Sequence, residues 1–223
     1  PLPIVMLHGA FQSGRSWEST PDGREGFQNL FLRRGYPVYL VDQPRRGRAG
    51  NSTVGTTIEP TPLDQLFFDQ FRLGKWPNYF DNAQFDRKAE TLNQFLRSVT
   101  PNTGPYDAGV ISDAMAALFD RTGPAILFSH SQAGGPGWLT AIKSANVKGI
   151  VALEPGSGFI FPEGEVPEAM PSAAGTLTPA SSRGQFHGRI AATTPGGSRR
   201  GYCSWWSPAG KVTPFTSPAT PAK

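Results

Sequence analysis

The sequence contains a single cysteine, Cys203, among its 223 residues. One cysteine excludes an internal disulfide and any metal cluster held by several cysteines, and it says little about the cellular compartment. No run of about 18 apolar residues occurs, so we expect no membrane span. The sequence also lacks an initiator methionine and a signal segment, and it opens directly on strand-like residues. We therefore expect a chain cut from a longer parent, and the sequence leaves its compartment open.

Acidic residues are missing from the last quarter of the chain. Residues 1–168 contain 15 Lys or Arg and all 17 Asp or Glu, whereas residues 169–223 contain six Lys or Arg and no acid. The formal net charge of +4 therefore comes from the tail alone. The nearly balanced body gives no reason to expect nucleic acid as a partner. Its length is sufficient for one domain with a substantial core.

The most informative stretch is residues 125–142, in which an apolar run precedes a small–x–Ser–x–small turn. Residues 125–128 predict a buried parallel strand, and the residues after the turn predict a helix. Ser131 stands at the centre of the turn, with the small residues Ser129 and Ala133 two positions away on either side. This pattern is typical of a nucleophile elbow, which lifts a serine hydroxyl clear of a sheet. The alternative is an ordinary serine in a strand-to-helix turn.

A second motif, His8-Gly9-Ala10, follows the first predicted strand, residues 3–7. A strand followed by His-Gly is typical of the loop that supplies one N–H group to an oxyanion hole. Gly9 allows the backbone to come close to a substrate, and the N–H of Ala10 is the expected donor. His8 as a catalytic base is the less favoured interpretation, because a histidine at this strand end normally braces the loop through hydrogen bonds.

The next predicted elements are a helix over residues 27–34, ended by Gly35, and a strand over residues 36–42. Asp42 closes that strand and is expected to cap the loop after it. Three arginines share this loop: Arg45, Arg46 and Arg48. They could attract an acidic substrate, but a solvated, loop-bracing role is favoured.

Residues 51–109 do not alternate between strand and helix, and they are rich in aromatic residues and proline. An insertion at this place commonly forms a cap over the active site, where the rings would line an apolar acyl or alcohol pocket. Alternatively, the rings only attach the insertion to the main domain, and the sequence favours neither interpretation. Residues 111–121 then predict an amphipathic helix that leads into the elbow strand.

A carboxylate, Glu154, follows the next buried strand, residues 147–153. Ligand groups gather at the carboxyl ends of strands in an open parallel sheet, so Glu154 should lie one strand away from Ser131 at the same edge. The triad acid more commonly follows the strand after that, but this position is geometrically adequate. We therefore expect Glu154 to be the triad acid, with a loop-bracing role as the alternative.

Together these passages resemble the α/β-hydrolase superfamily and, more narrowly, a group of bacterial serine esterases. The similarity covers about residues 3–178, and four passages carry it: residues 8–10 with 17–24, 41–48, 129–134 and 154–156. The resemblance implies a mostly parallel α/β-hydrolase sheet with helices on both faces, an aromatic-rich cap insertion at about 51–109, and incomplete N- and C-termini. It assigns Ser131 as the nucleophile, Glu154 as the acid and the N–H of Gln132 as the second oxyanion donor. No metal or organic cofactor is implied.

The resemblance ends near residue 178, and residues 179–223 predict an irregular tail that is disordered or an aberrant read of the parent gene. Of residues 181–223, 27 are Ser, Gly, Thr, Pro or Ala. Such a segment buries too little apolar surface to offset the entropy lost when it becomes ordered. The family's histidine base is therefore not evident. His187 is a weak candidate, because it follows Glu154 by only 33 residues. His130 is expected to be structural.

The predicted activity is hydrolysis of a small-molecule carboxylic ester through an acyl-enzyme on Ser131. One alternative is another hydrolase-fold chemistry, such as that of a thioesterase, lactonase or perhydrolase. The other is an inactive fragment or pseudo-enzyme that lacks the catalytic histidine. The sequence does not indicate the oligomeric state.

Overall fold

The computed structural model describes residues 1–53, 55, 58, 64–71, 73–156 and 168, together with the backbone of short strands beyond Gly156. In chain order the strands are β1 (Ile4–Leu7), β2 (Val38–Val41), β3 (Gly74–Lys75), β4 (Asn78–Tyr79), β5 (Ala125–His130), β6 (Val147–Leu153), β7 (Ile160–Pro162), β8 (Met170–Ser172), β9 (Gly175–Leu177), β10 (Ala180–Ser182), β11 (Arg189–Thr193), β12 (Ser204–Trp205) and β13 (Thr213–Pro214). The helices are α1 (Phe27–Leu32), α2 (Asp64–Gln70), α3 (Ala89–Arg97), α4 (Ala108–Thr122) and α5 (Gly134–Lys143). Short 3-10 turns span Gly14–Trp17, Gly47–Ala49 and Ser131–Ala133.

In the described part of the chain, the central sheet has five parallel strands in the order β2-β1-β5-β6-β11. Successive side chains of a strand point to opposite faces, so β1 contributes to a core on each side of the sheet. Val5 and Leu7 pack against α4 and α5 on one face. Ile4 and Met6 pack on the other face, which α1 covers. This arrangement confirms the predicted parallel sheet with helices on both faces.

The helix predicted over residues 111–121 is α4, which is longer by a few residues at its N-terminal end. Its buried side chains recur at helical spacing and include Ile111, Met115 and Phe119. Asp107 caps the helix, since its side chain accepts a hydrogen bond from the N–H of Val110 at 3.0 Å. The amphipathic pattern therefore predicted both the helix and the face that it buries.

Aromatic rings dominate the opposite core. Phe128 of β5 lies 5.4 Å from the ring of Trp17 and 5.6 Å from that of Phe31, both with edge-to-face geometry. Phe31 belongs to α1, which ends at Leu32, two residues before the predicted end at residue 34. Gly35 lies in the turn that follows: its φ is 78°, and its N–H donates to the carbonyl of Leu32 at 2.9 Å. The sheet strand that carries the elbow is thus packed firmly on both sides.

Seven rings of the insertion form one continuous aromatic cluster: Phe67, Phe68, Phe71, Trp76, Tyr79, Phe85 and Phe95. Neighbouring ring centroids in the cluster are 4.8 to 6.4 Å apart. One further contact, between Phe67 and Phe11 at 5.7 Å, joins the cluster to the loop that carries the His-Gly motif. Six of these seven contacts lie within the insertion, and the seventh brings it against the loop of the His-Gly motif, so attachment and pocket lining both stay predictions. The bounds of the predicted cap, 51–109, stay a prediction.

Strand β11 lies within the segment that was expected to be irregular. It pairs in parallel with β6, with Ile190 opposite Ile150. Its five residues include two alanines and a threonine among many other small residues, so no apolar run distinguishes it in the sequence. The domain boundary near residue 178 stays a prediction. Among the residues that the structure describes, no helix is both long and apolar enough to cross a membrane.

Candidate active site

Ser131 comes directly after β5 and opens the 3-10 turn that leads into α5. Its φ is 54°, in the left-handed region that residues other than glycine rarely adopt. The small residues on either side, Ser129 and Ala133, are completely buried, whereas Ser131 itself is half-buried. The backbone therefore makes the sharp strand-to-helix turn that the small–x–Ser–x–small pattern predicted.

The loop of the His-Gly motif lies directly against this turn. A Cβ atom placed on Gly9 would stand 2.9 Å from the Cβ of Ser131 and 3.1 Å from Nδ1 of His130. Only glycine permits such a close approach. Ala10, the predicted oxyanion donor, is the next residue of this loop and is half-buried.

His8 is completely buried and uses both of its ring nitrogens. Nδ1 lies 2.8 Å from the carbonyl oxygen of Gly9, and Nε2 lies 3.1 Å from the N–H of Gln43, which donates to it. Burial lowers the pKa of His8, and this effect outweighs the opposing influence of the Gly9 carbonyl and Asp42. A neutral His8 with these two bonds can brace the loop but has no free nitrogen with which to act as a base.

Asp42 holds the loop after β2, as expected for a capping residue. Its carboxylate accepts hydrogen bonds from the N–H of Gly14 at 2.5 Å and from the backbone N–H and Nε of Arg48, both at 2.8 Å. Burial alone would raise the pKa of Asp42, but these hydrogen bonds and the Arg48 charge hold it below its usual value. Asp42 is therefore engaged on both oxygens.

The prediction of a solvated arginine face is wrong for Arg46, which is only 1% exposed. Its Nη1 donates to the carbonyls of Arg45 and Gly104, at 3.1 and 3.3 Å. Arg45 donates in turn to the carbonyl of Pro105 at 3.1 Å. The bracing role is thus confirmed for these two arginines, but Arg46 performs it from the interior.

Glu154 follows β6 and also has a positive φ, 46°. The register between the two strands places His130 opposite Leu153. Ser131 and Glu154 are the next residues, so each follows the same end of one of two neighbouring strands. Two residues in the left-handed region therefore end two neighbouring strands at the same edge of the sheet. This is the juxtaposition that the sequence predicted.

The turn after Glu154 is bound to the turn at Ser131. The N–H of Gly156 donates to the carbonyl oxygen of Ser131 at 2.8 Å. A Cβ atom on Gly156 would lie 3.4 Å from Oγ of Ser131 and 3.7 Å from the backbone nitrogen of Gln132. The role of Gly156 was not predicted, although a glycine directly after Glu-Pro was a signal in the sequence.

Gln12 is a second residue that sequence reasoning missed, and no motif marks it. Its Oε1 lies 3.0 Å from the N–H of Gly9 and 3.0 Å from Nδ1 of His130. Burial lowers the pKa of His130, while the charge of Glu154 acts in the opposite direction. His130 therefore belongs to the edge formed by Ser131 and Glu154, through its bond to Gln12 and its electrostatic interaction with Glu154.

The structure thus places Ser131, Glu154, Gln132 and the loop of Gly9 and Ala10 together at one edge of the sheet. His187, the candidate base, lies outside the described residues. The catalytic roles of these residues stay predictions.

Comparison with known proteins gives the following matches. A model of the alpha/beta hydrolase family matches residues 4–220. A curated protein, "Probable secreted lipase phiG" from Fungal sp. (strain ATCC 74256), is 37% identical over 164 residues, which are 70% of this chain and 45% of that protein. A solved structure described as a novel bacterial esterase is 27% identical with a TM-score of 0.61, over 70% of this chain and 54% of that one. The chain spans about half the length of these relatives.

Proposed function

The chain belongs to the alpha/beta hydrolase family, and from that premise we propose that it hydrolyses carboxylic esters through an acyl-enzyme on Ser131. The observation that carries the proposal is the backbone of Ser131. Its φ is 54°, and Gly9 and Gly156 both lie directly against this residue. A lipase and an esterase among the similar proteins support the same substrate class.

In the first half of the reaction, Oγ of Ser131 attacks the ester carbonyl carbon while a histidine takes the hydroxyl proton. The alcohol leaves with that proton, and the acyl group stays on Ser131. Both ring nitrogens of His8 are engaged with the loop, and His130 is the last residue of β5, directly before the nucleophile, so neither is assigned this task. We assign this task to the remaining histidine of the sequence, His187.

The negative charge that forms on the carbonyl oxygen requires donors aimed at its position. We assign the N–H groups of Ala10 and Gln132 to this oxyanion hole. Gly9 supports the first assignment because its contact with Ser131 holds the loop against the nucleophile. The second follows from position, since Gln132 is the residue after the serine at the start of the helical turn.

Glu154 is proposed to orient the histidine and to stabilise its imidazolium form. Its place beside Ser131 at the sheet edge supports this role, and so does the bond from Gly156 to Ser131, which fixes the two turns relative to each other. Water then attacks the acyl-enzyme with the same histidine as base, and the carboxylic acid is released.

The test is hydrolysis of p-nitrophenyl butyrate by the wild-type chain, by Ser131→Ala and by the control Ser98→Ala, an exposed serine at the end of α3. We expect turnover in the wild type and the control and its loss in Ser131→Ala. A fluorophosphonate probe, which reacts with activated serines, should label the first two proteins and not the third. Undiminished turnover by Ser131→Ala would refute the proposal.

A further inference from the structure

The side chain of Gln12 lies between the two elements that the proposed reaction must hold together. One is the oxyanion loop, represented by Gly9, and the other is the nucleophile turn, represented by His130 next to Ser131. The amide oxygen of Gln12 is 3.0 Å from the backbone nitrogen of Gly9 and 3.0 Å from Nδ1 of His130. Gln12 is half-buried, and both bonds are partly shielded from solvent.

The direction of these bonds is set by the chemistry of the groups. The backbone N–H of Gly9 can only donate, so the atom of Gln12 that faces it is the amide oxygen. An amide oxygen has two lone pairs and can only accept, so Nδ1 of His130 must carry the proton that it donates. In the neutral imidazole the other nitrogen, Nε2, is then unprotonated. Burial favours the neutral ring by lowering the pKa of His130.

We propose that Gln12 is a positioning residue for the ester hydrolysis proposed above: its amide oxygen joins the oxyanion loop to the nucleophile turn and holds His130 as the Nδ1–H tautomer. The inference rests on that proposed function for its catalytic consequence. Its structural half, the clamp between Gly9 and His130, stands on the two hydrogen bonds alone.

The clamp matters because the loop and the turn touch at Ser131. With Gly9 held so close that a Cβ atom would stand 2.9 Å from that of Ser131, any movement of the loop displaces the Ala10 N–H relative to the attacking oxygen. A misplacement of about 1 Å can reduce a rate about 100-fold. Other bonds keep the loop folded, including those of His8 and the bond from the N–H of Thr100 to the carbonyl of Phe11 at 2.8 Å. Loss of Gln12 should therefore affect geometry more than folding.

The first experiment measures the tautomer of His130 by ¹⁵N NMR of the imidazole in the full chain at pH 7.5. Gln12→Met is nearly isosteric but has no acceptor oxygen, whereas Gln12→Glu keeps one. The control is Gln94→Met, on the exposed face of α3. We expect the Nδ1–H form in the wild type, in Gln12→Glu and in the control, and its loss in Gln12→Met. An Nε2–H ring in the wild type, or no change in Gln12→Met, overturns the clamp.

The second experiment measures steady-state hydrolysis of p-nitrophenyl butyrate by the same proteins, with Ser131→Ala for reference. Gln12→Met should lose about 10- to 100-fold in kcat with KM within about twofold, because an oxyanion donor acts in the transition state. If Ser131→Ala is inactive and Gln12→Met keeps the full kcat, the positioning role is wrong and the proposed function survives. The proposed function fails if Ser131→Ala keeps its activity, or if the wild type shows neither turnover nor fluorophosphonate labelling. The positioning role of Gln12 then fails with it, but the tautomer measurement still decides whether Gln12 clamps Gly9 to His130.

Discussion

Two regions of this molecule are held together by different forces. At the serine edge, which we define as Gly9, Gln12, His130, Ser131 and the turn 154–156, the contacts are hydrogen bonds of 2.8 to 3.0 Å between turns that end neighbouring strands. In the aromatic cluster of the insertion, the contacts are between rings whose centroids lie 4.8 to 6.4 Å apart.

The difference predicts different consequences of mutation. A hydrogen bond contributes only about 1 kcal/mol to stability but fixes direction and distance. A buried ring contributes several times more to stability and fixes direction less strictly. Substitutions at the serine edge should therefore reduce activity in a protein that stays folded. Substitutions in the aromatic cluster should reduce stability first.

The largest effect on activity, apart from loss of the nucleophile, is expected for Glu154→Gln. Removing the charge of a triad acid lowers kcat by about 10³- to 10⁴-fold, because the imidazolium loses its stabilising partner. Hydrolysis of p-nitrophenyl butyrate measures the loss, and Glu90→Gln on α3 is the matched control. If Glu154→Gln kept more than about a tenth of the wild-type kcat, Glu154 would have the loop-bracing role instead.

Phe68→Ala tests the other region. Phe68 is completely buried and contacts the rings of Trp76 and Tyr79. Its removal should lower the free energy of unfolding by about 3–5 kcal/mol, as for other buried aromatic rings, which urea denaturation would measure. The exposed ring of Phe80 serves as the control, because Phe80→Ala should cost much less. Equal losses for the two variants would contradict the account of the cluster.

Gly156→Val should reduce activity about 100-fold or more without unfolding the protein. The added Cβ would stand 3.4 Å from Oγ of Ser131, which is already a contact distance, and the two methyl groups need further space beside the hydroxyl. Gly55→Val is the control, since a Cβ at that position meets nothing within 4 Å. Thermal denaturation of the same proteins shows whether the variant stays folded. If Gly156→Val kept the wild-type kcat/KM, the turn would not lie against the nucleophile.

The smallest effect is a loss of stability in mild acid. Burial holds the pKa values of His8 and His130 below the ordinary 6.5, so the folded state favours the neutral rings. The stability that results is present above pH 6.5 and is lost as the pH falls from 6.5 toward the lowered pKa values of the folded state. The loss is about 1.4 kcal/mol for each unit by which the pKa differs between the folded and unfolded states. Asp42, with a lowered pKa, contributes above 3.8 and loses its contribution only below that.

Urea denaturation at pH 7.5 and 5.5 tests the two histidines without Asp42, which loses its contribution only below 3.8. The wild type should be less stable at pH 5.5, and His8→Gln should show a smaller difference between the two pH values. Stability that rises on acidification would contradict the direction of both shifts. Because His130 belongs to the serine edge and His8 adjoins it, variants of the aromatic cluster such as Phe68→Ala should show the same pH dependence as the wild type.

The parts of this fold that could be predicted are those with strong local signals. The apolar run before Ser131 predicted β5, the spacing of Ile111, Met115 and Phe119 predicted α4, and the strand before Glu154 predicted its place beside Ser131. Each signal lies within one element, as an apolar run for a strand or as helical spacing for α4, and the parallel sheet then brings the strand ends to one edge.

The parts that could not be predicted depend on contacts between distant segments. Gln12 stands in a loop without a motif, and its partner His130 is 118 residues away. Arg46 was expected to be solvated because arginine usually is, but it is buried and donates to the carbonyl of Gly104, 58 residues away. Strand β11 has too few large apolar residues to stand out, and pairing with β6 defines it.

The central claim is that the hydroxyl of Ser131 is an activated nucleophile, and the most direct measurement is to locate a fluorophosphonate label by peptide mass spectrometry of the wild-type chain. The account predicts a single modified serine, Ser131, with no label in the Ser131→Ala protein. A label on any other serine, or an unreactive wild-type chain, would contradict it.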